Sequence, residues 1–293
     1  PKPEYKLVAA FQAKLLALMQ GSELLNPRLI VKSRSEYRIN LTTWVSRMEE
    51  VLTAVLAMLI SRQEPEVFIS RQRCGLCQWQ SFCYNIAQQQ EHLSLLPGVT
   101  PNRYEVLQKL GLTRLEKLAQ GDSFLLAQEL GKEIAFDLKK QAIATFYQKP
   151  LLKSVSPASI LETIPSATRE IYFDIEAEPE RNLDYLLGVL IVDYQDQTET
   201  FYPLIAENPE QEEEIWQQFL ELVFLDPHAP IFHYSKYEAE TIRRLAHLYR
   251  TSRKQEQLVL KRLVDLHDRV TRFMILPTEN YSLKTIAQWL GFQ

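Results

Sequence analysis

The stretch YFDIEAEPE, residues 172–180, decides how this chain is read. Side chains along a strand alternate between faces, so Asp174 and Glu176 project together while Ile171, Phe173 and Ile175 point the other way into a core. Two carboxylates side by side repel one another unless something positive sits between them, and a divalent metal is the usual remedy. A hydrolytic site for phosphodiesters begins in this way. An isolated Asp-x-Glu is also what a strand with one wet face looks like, so its meaning depends on the elements downstream of it in the chain.

From Glu170 the pattern runs strand, strand, strand, helix, strand, helix. EIYFDIE is followed by LLGVLIVDY and TETFYPLI, with a turn at Asp196 and Gln197. Pro209 opens a helix through Trp216, Phe219, Leu220 and Val223, and PIFHY leads into KYEAETIRRLAHLY. The acidic run Glu210 to Glu214 reads as a helix start, where carboxylates favour the positive end of the dipole. A three-strand meander, then a helix and a further strand carrying the next acid, is the order of the ribonuclease H-like fold, so the expected class is mixed α/β.

The span 170–293 resembles the YprB-type ribonuclease H-like domains, relatives of the DEDD exonucleases. The resemblance rests on Asp174 and Glu176 in DIE, on His233, Tyr234, Tyr237 and Glu238 in HYSKYE, on Asp265 in VDL and on the closing YSLKTIAQWLGF. It implies that Asp174, Glu176 and Glu238 bind Mg²⁺ or Mn²⁺, with Glu238 standing where many such enzymes use Asp. Asp265 is either a nearby support or a cap on the helix from Leu266. Two metals about 4 Å apart activate a water, position the phosphate and stabilise the leaving oxygen. His233 contacts substrate or metal-bound water, or is a hydrogen-bonded structural residue. Tyr234 and Tyr237 stack on bases or ribose, or pack. In the family the last acid follows the YSLK helix by several tens of residues. The chain ends at Gln293, so a C-terminally truncated domain with an incomplete metal site is expected.

Upstream, RCGLCQWQSFC sets Cys74, Cys77 and Cys83 in a C-x2-C-x5-C array that holds every cysteine of the chain. Thiols two residues apart can grip one metal, and a fourth ligand would come from His92 for zinc, or from a cysteine this chain lacks for a [4Fe-4S] cluster. Next comes LLPGVTPNRYEVLQKLGLTRLEKLAQG, with turns at Gly98 and Gly111 and apolar Val106, Leu107, Leu110, Leu115 and Leu118 at helical spacing. It resembles a helix-hairpin-helix unit, which grips a nucleic-acid backbone through its loop amides, here at Gly98. A plain structural helical hairpin fits the same pattern, since Val99 and Thr100 stand where a second glycine is usual. A Ser- and Pro-rich linker runs from Ser154 to Ser166.

The front of the chain reads as a helix stopped at Gly21, with Leu7, Val8, Phe11, Leu15 and Met19 on one face. A short strand pair from LIVKSR and YRINL and a long helix from Thr42 come next. The order of cysteine array, hairpins and ribonuclease H-like domain is similar to that of the RecB-like nucleases, in which a PD-(D/E)xK core comes first. The resemblance implies that the residues before Cys74 are the tail of that core, with the helix holding Gln12 matching its glutamine-bearing helix. The expected domains are 1–92 (nuclease-core remnant with cysteine cluster), 93–150 (helical region), 151–169 (linker) and 170–293 (ribonuclease H-like).

With 46% hydrophobic and 24% charged residues the chain has an ordinary globular composition. Its apolar runs, such as Val51 to Ile60, are too short to span a bilayer, and a cytoplasmic location is the default expectation. A net charge of −4 excludes a global basic signature, so nucleic-acid contact must come from local patches. Candidates are Lys139 with Lys140, Arg243 with Arg244, and the stretch Arg250 to Arg262, each otherwise a solvated helix face. The expected function is metal-dependent phosphodiester hydrolysis on DNA or RNA, exonucleolytic and 3′ to 5′. The alternative is a non-catalytic nucleic-acid-binding scaffold with a cysteine metal site.

Overall fold

The computed structural model describes residues 1–23, 26–31, 34–70, 73–153 and 164–292. The chain divides into two compact units, Pro1–Val67 and Phe68–Gln293.

In the first unit, α1 (Pro3–Gln20) begins at a proline and ends where Gly21 turns left-handed at φ +58°. Strands β1 (Arg28–Ile30) and β2 (Glu36–Arg38) pair antiparallel with Leu29 opposite Tyr37, and α2 (Leu41–Ser61) comes after them. Lys32 and Ser33 of the expected longer strand lie outside the described residues. The helix α1 corrects the sequence reading: its buried residues are Ala9 and Ala10, while Val8, Phe11, Leu15 and Met19 are exposed. Two helices and a two-stranded ribbon hold too little chain to cover both sides of each helix.

The second unit opens with a 3₁₀ turn at Cys74–Leu76 and then α3 (Gln80–Gln89). Helices α4 (Pro101–Lys109), α5 (Leu115–Gln120), α6 (Ser123–Leu130) and α7 (Lys132–Tyr147) pack around Leu93, Leu107, Leu118, Leu126 and Leu138. Gly98 has φ +88°, and a Cβ there would come within 3.1 Å of Leu138. The turn therefore needs glycine for conformation and for close approach.

The strand β3 (Leu151–Leu152) has no strong sequence signal, yet it pairs with a late strand, β9 (Met274–Ile275). Gln141 of α7 also donates to the Leu276 carbonyl at 2.7 Å, so the helical region and the last domain share contacts. Of the expected linker, residues 154–163 lie outside the described residues.

The main sheet has five strands in the order β6-β5-β4-β7-β8. Strands β4 (Arg169–Glu178), β5 (Leu183–Asp193) and β6 (Thr198–Ile205) form the expected antiparallel meander. Then α8 (Glu212–Phe224) crosses to β7 (Ile231–His233), parallel to β4, and α9 (Tyr237–Leu248) and α10 (Arg253–Arg262) cross to β8 (Leu263–Asp265), parallel to β7. The chain closes with α11 (Leu266–Phe273), β9 and α12 (Leu283–Trp289). This is a mixed sheet in a mixed α/β fold.

One face of the sheet forms the main core. Ile171, Phe173 and Ile175 pack with Trp216 and Phe219 of α8 and Ile242 and Leu245 of α9, as strand alternation requires. The opposite face carries Tyr172, Asp174 and Glu176.

Candidate functional site

Where β4 and β7 run side by side, Tyr172 is in register with Phe232 and the two rings stack at 5.3 Å. Two residues further along β4 comes Asp174, then Glu176, at the carboxyl end of the parallel pair. Ligand sites in open α/β sheets gather at such strand ends. In antiparallel register with them on β5 stand Gly188, opposite Asp174, and Leu186, opposite Glu176. A cavity of about 360 Å³ opens over this face, lined by Asp174, Glu176, His233 and Tyr234 above a floor that includes Phe232 and Phe201. Gly188 keeps that floor low, since any side chain there would rise beside Asp174.

The acids feel one another. Burial raises the Asp174 carboxyl above the ordinary aspartate range, the Ile175 amide opposes this, and the like charges of Glu238 and Glu176 add to the rise. Glu238 sits in the first turn of α9, 4% exposed, with Oε2 at 3.3 Å from His233 Nδ1. It stands behind the cavity and does not line it.

Among the described residues no three His, Cys, Asp or Glu side chains converge as a ready-made metal site. The donor chemistry of the cavity nonetheless suits a hard cation. Mg²⁺ keeps several waters and is commonly held by one or two carboxylates plus substrate phosphate rather than by a full protein cage. Asp174 and Glu176 are such a pair.

The structure also places the other expected residues. Asp265 caps α11: its Oδ1 accepts the Asp268 amide at 3.2 Å and the Ser235 amide at 3.0 Å. It therefore holds the turn between β7 and α9 and does not line the cavity. The Tyr234 ring lines the cavity while its hydroxyl donates to the Tyr281 carbonyl, anchoring the YSLK segment. Tyr237 donates to Asp184 at 2.9 Å, on the side of the sheet away from the cavity floor. The Gly98 carbonyl accepts from Arg103, and the Thr100 hydroxyl already takes the Arg103 amide at 3.4 Å. Cys74, Cys77 and Cys83 are free thiols, with Cys74 Sγ accepting the Ser70 amide at 3.2 Å. His92 is buried in the helical core, its Nδ1 bonded to Ser94 and its ring 4.7 Å from that of Tyr104.

Some of the basic residues named from sequence are engaged within the fold, while Arg250, Arg253, Lys254 and Lys261 of the third stretch are exposed with no side-chain partner among the described residues. Lys139 donates to the Gly121 carbonyl, Lys140 to Leu152, Arg243 to Ala239, and Arg262 to Ala229 and Val223. Arg244 joins a network that sequence reasoning missed, in which it contacts Asp184 and Glu212. Glu212 is 4% exposed, so one member of the acidic run at this helix start is also a buried anchor. Strand register and helix packing, which no local pattern reveals, bring Gly188, Phe201 and this network to the site and its support.

Among the described residues no helix is long and apolar enough to cross a membrane. No curated protein and no solved structure matches the chain. Residues 171–293, the part that carries the sheet and its carboxylates, match the RNase_H_2 family model of the RNase_H superfamily.

Proposed function

We propose that the sheet domain is a divalent-metal-dependent nuclease site in which Asp174 and Glu176 hold Mg²⁺ or Mn²⁺ and Glu238, behind them, adds negative charge that favours the ion. The observation that carries this reading is the electrostatic one: two acids share an open cavity with an aromatic floor, and a third, buried acid adds to their repulsion. The superfamily match over the same residues supports hydrolysis of nucleic acid. A bound divalent ion supplies a Lewis acid for water and phosphate. The protein's own groups do the rest: the carboxylates fix the ion, and Tyr234 and Phe232 present ring surface to a base. The resemblance to the DEDD exonucleases implies digestion from an end, 3′ to 5′, on DNA or RNA.

The wider resemblance, to a YprB-type domain within a RecB-like nuclease, adds a second metal centre at Cys74, Cys77 and Cys83. Their spacing supports it, as a [4Fe-4S] cluster or zinc, and metal analysis with a visible absorption spectrum separates the two.

The test is cleavage of end-labelled single strands with Mn²⁺, using the wild type and Asp174→Asn. Wild-type cleavage that the substitution abolishes supports the site, whereas equal cleavage by both removes it. In parallel, Mn²⁺ should raise the melting temperature of the wild type and leave the variant unmoved, because ligand binding favours the native state. A non-catalytic scaffold is the second reading, favoured by the inward turn of Glu238 onto His233. It predicts a flat Mn²⁺ titration and no cleavage.

A further inference from the structure

A second cavity, of about 610 Å³, adjoins the carboxylate cavity and is lined by Lys236, His267 and Arg269 together with Ser235, Asp265 and Asp268. The two share one wall. Tyr234 lines the first and His267 the second, and their rings meet edge to face at 5.3 Å. Residues 233–234 and 266 face one side of this wall, and residues 235–236, 265 and 267 face the other. A strand lying across the wall touches both cavities.

The charges of the second cavity are unevenly committed. Asp265 Oδ1 accepts two backbone amides, and Asp268 is paired with Arg272 at 3.3 Å. Neither Lys236 nor Arg269 has a side-chain hydrogen bond or ion pair among the described residues. That sets them apart from Lys139, Lys140, Arg243, Arg244 and Arg262, whose donors are engaged internally. The backbone is also strained where it places Lys236. Ser235 has φ +92°, a costly value for a residue with a side chain, and the bond from its amide to Asp265 helps hold it. The next residue, Lys236, is thereby set at the cavity rim.

We propose that this cavity binds a backbone phosphate of the substrate strand, adjacent to the nucleotide held at Asp174 and Glu176. The inference rests on the nucleic-acid reading above and deepens it. Arg269 offers a planar fork and Lys236 a mobile point charge, a pairing suited to a phosphate diester, while the Tyr234–His267 wall separates this phosphate from the reacting one. Lys236 and Arg269 position the strand, and hydrolysis belongs to the carboxylate site.

The experiment measures fluorescence anisotropy of a fluorescein-labelled single-stranded oligodeoxynucleotide across a salt series, with calcium as the divalent ion. It compares the wild type, Lys236→Ala/Arg269→Ala and Lys261→Ala, the last removing an exposed lysine on α10. Affinity of the double variant should fall roughly tenfold or more. The slope of log affinity against log salt should shrink by about 0.7 for each phosphate released. Lys261→Ala should match the wild type. If the wild type binds and the double variant binds equally well with the same slope, the phosphate site is overturned while the nuclease reading stands. Equal losses in Lys261→Ala and the double variant also overturn it, since the effect is then bulk charge. A wild type that does not bind at all removes the phosphate site together with the nucleic-acid reading, and the cleavage assay reports independently on Asp174.

Discussion

Replacing Arg244 by Met should remove a cation that serves two buried carboxylates. Asp184 is 3% exposed and Glu212 4%, and the guanidinium contacts both, at 3.0 Å in the case of Glu212. Met keeps the apolar stem and deletes the charge. Breaking a buried ion pair from one side costs about 3–5 kcal/mol, because the remaining charge stays buried. The Arg244 side chain is 32% exposed, so water reaches the vacated position and the lower end, about 3 kcal/mol, applies. For a unit of this size that is a fall in melting temperature of about 6–12 °C. Urea denaturation followed by circular dichroism measures it, and Arg244→Met/Asp184→Asn/Glu212→Gln should recover much of the loss. The pH dependence gives a second readout. Burial alone would raise the Glu212 carboxyl, but bonds from Tyr249, the Asp184 amide and Arg244 outweigh it and hold the group below its ordinary 4.5. The native state therefore binds the proton more weakly than the unfolded chain, so this stability is present above the ordinary glutamate value and is lost as pH falls through the depressed one. The variant should show a shallower acid loss than the wild type. A cost under about 1 kcal/mol, or an unchanged acid limb, would refute the claim that Arg244 balances these acids.

Asp174 should show the opposite linkage. Its carboxyl is raised, so in the absence of metal its ionisation lowers stability as pH climbs from the ordinary aspartate value through the folded one. Asp174→Asn should be more stable than the wild type at neutral pH without metal, and the difference should vanish in acid; a less stable variant in a neutral urea melt would contradict the repulsion. Gly188→Val tests the cavity floor. A Cβ there meets Phe201 at 3.5 Å and the Asp174 carbonyl at 3.6 Å, both ordinary contacts, so the strand tolerates it. The added methyls occupy the space beside Asp174, and cleavage should fall by at least about tenfold with the melting temperature held or raised. Unchanged cleavage would place the substrate elsewhere.

Period-2 alternation over residues 171–176 was enough to separate the core side chains from Asp174 and Glu176, because a strand with one buried face admits no other arrangement. The meander, the helix opening at Pro209 and the later strand with its helix were legible for the same reason: each has its own apolar period and its own turn chemistry. The amphipathic reading of α1 failed where that logic lacks a partner, since the burial of Ala9 and Ala10 rather than Phe11 and Met19 depends on which surface is present to pack against.

Local periodicity was therefore sufficient for the strand that carries the acid pair, the order of elements around it and the α/β class. It could not show that Glu238 turns inward to His233, that Asp265 caps a helix and steadies the Ser235 turn, or that Gly188 clears the space beside Asp174; these emerge only in the folded chain. The fold also leaves Lys236 and Arg269 uncommitted beside the carboxylate cavity, while it engages Lys139, Lys140, Arg243, Arg244 and Arg262 internally. One cause underlies each case. A carboxylate or a guanidinium takes its role from the charge and the amides around it, and those neighbours are brought together by sheet register and helix packing across tens of residues of chain.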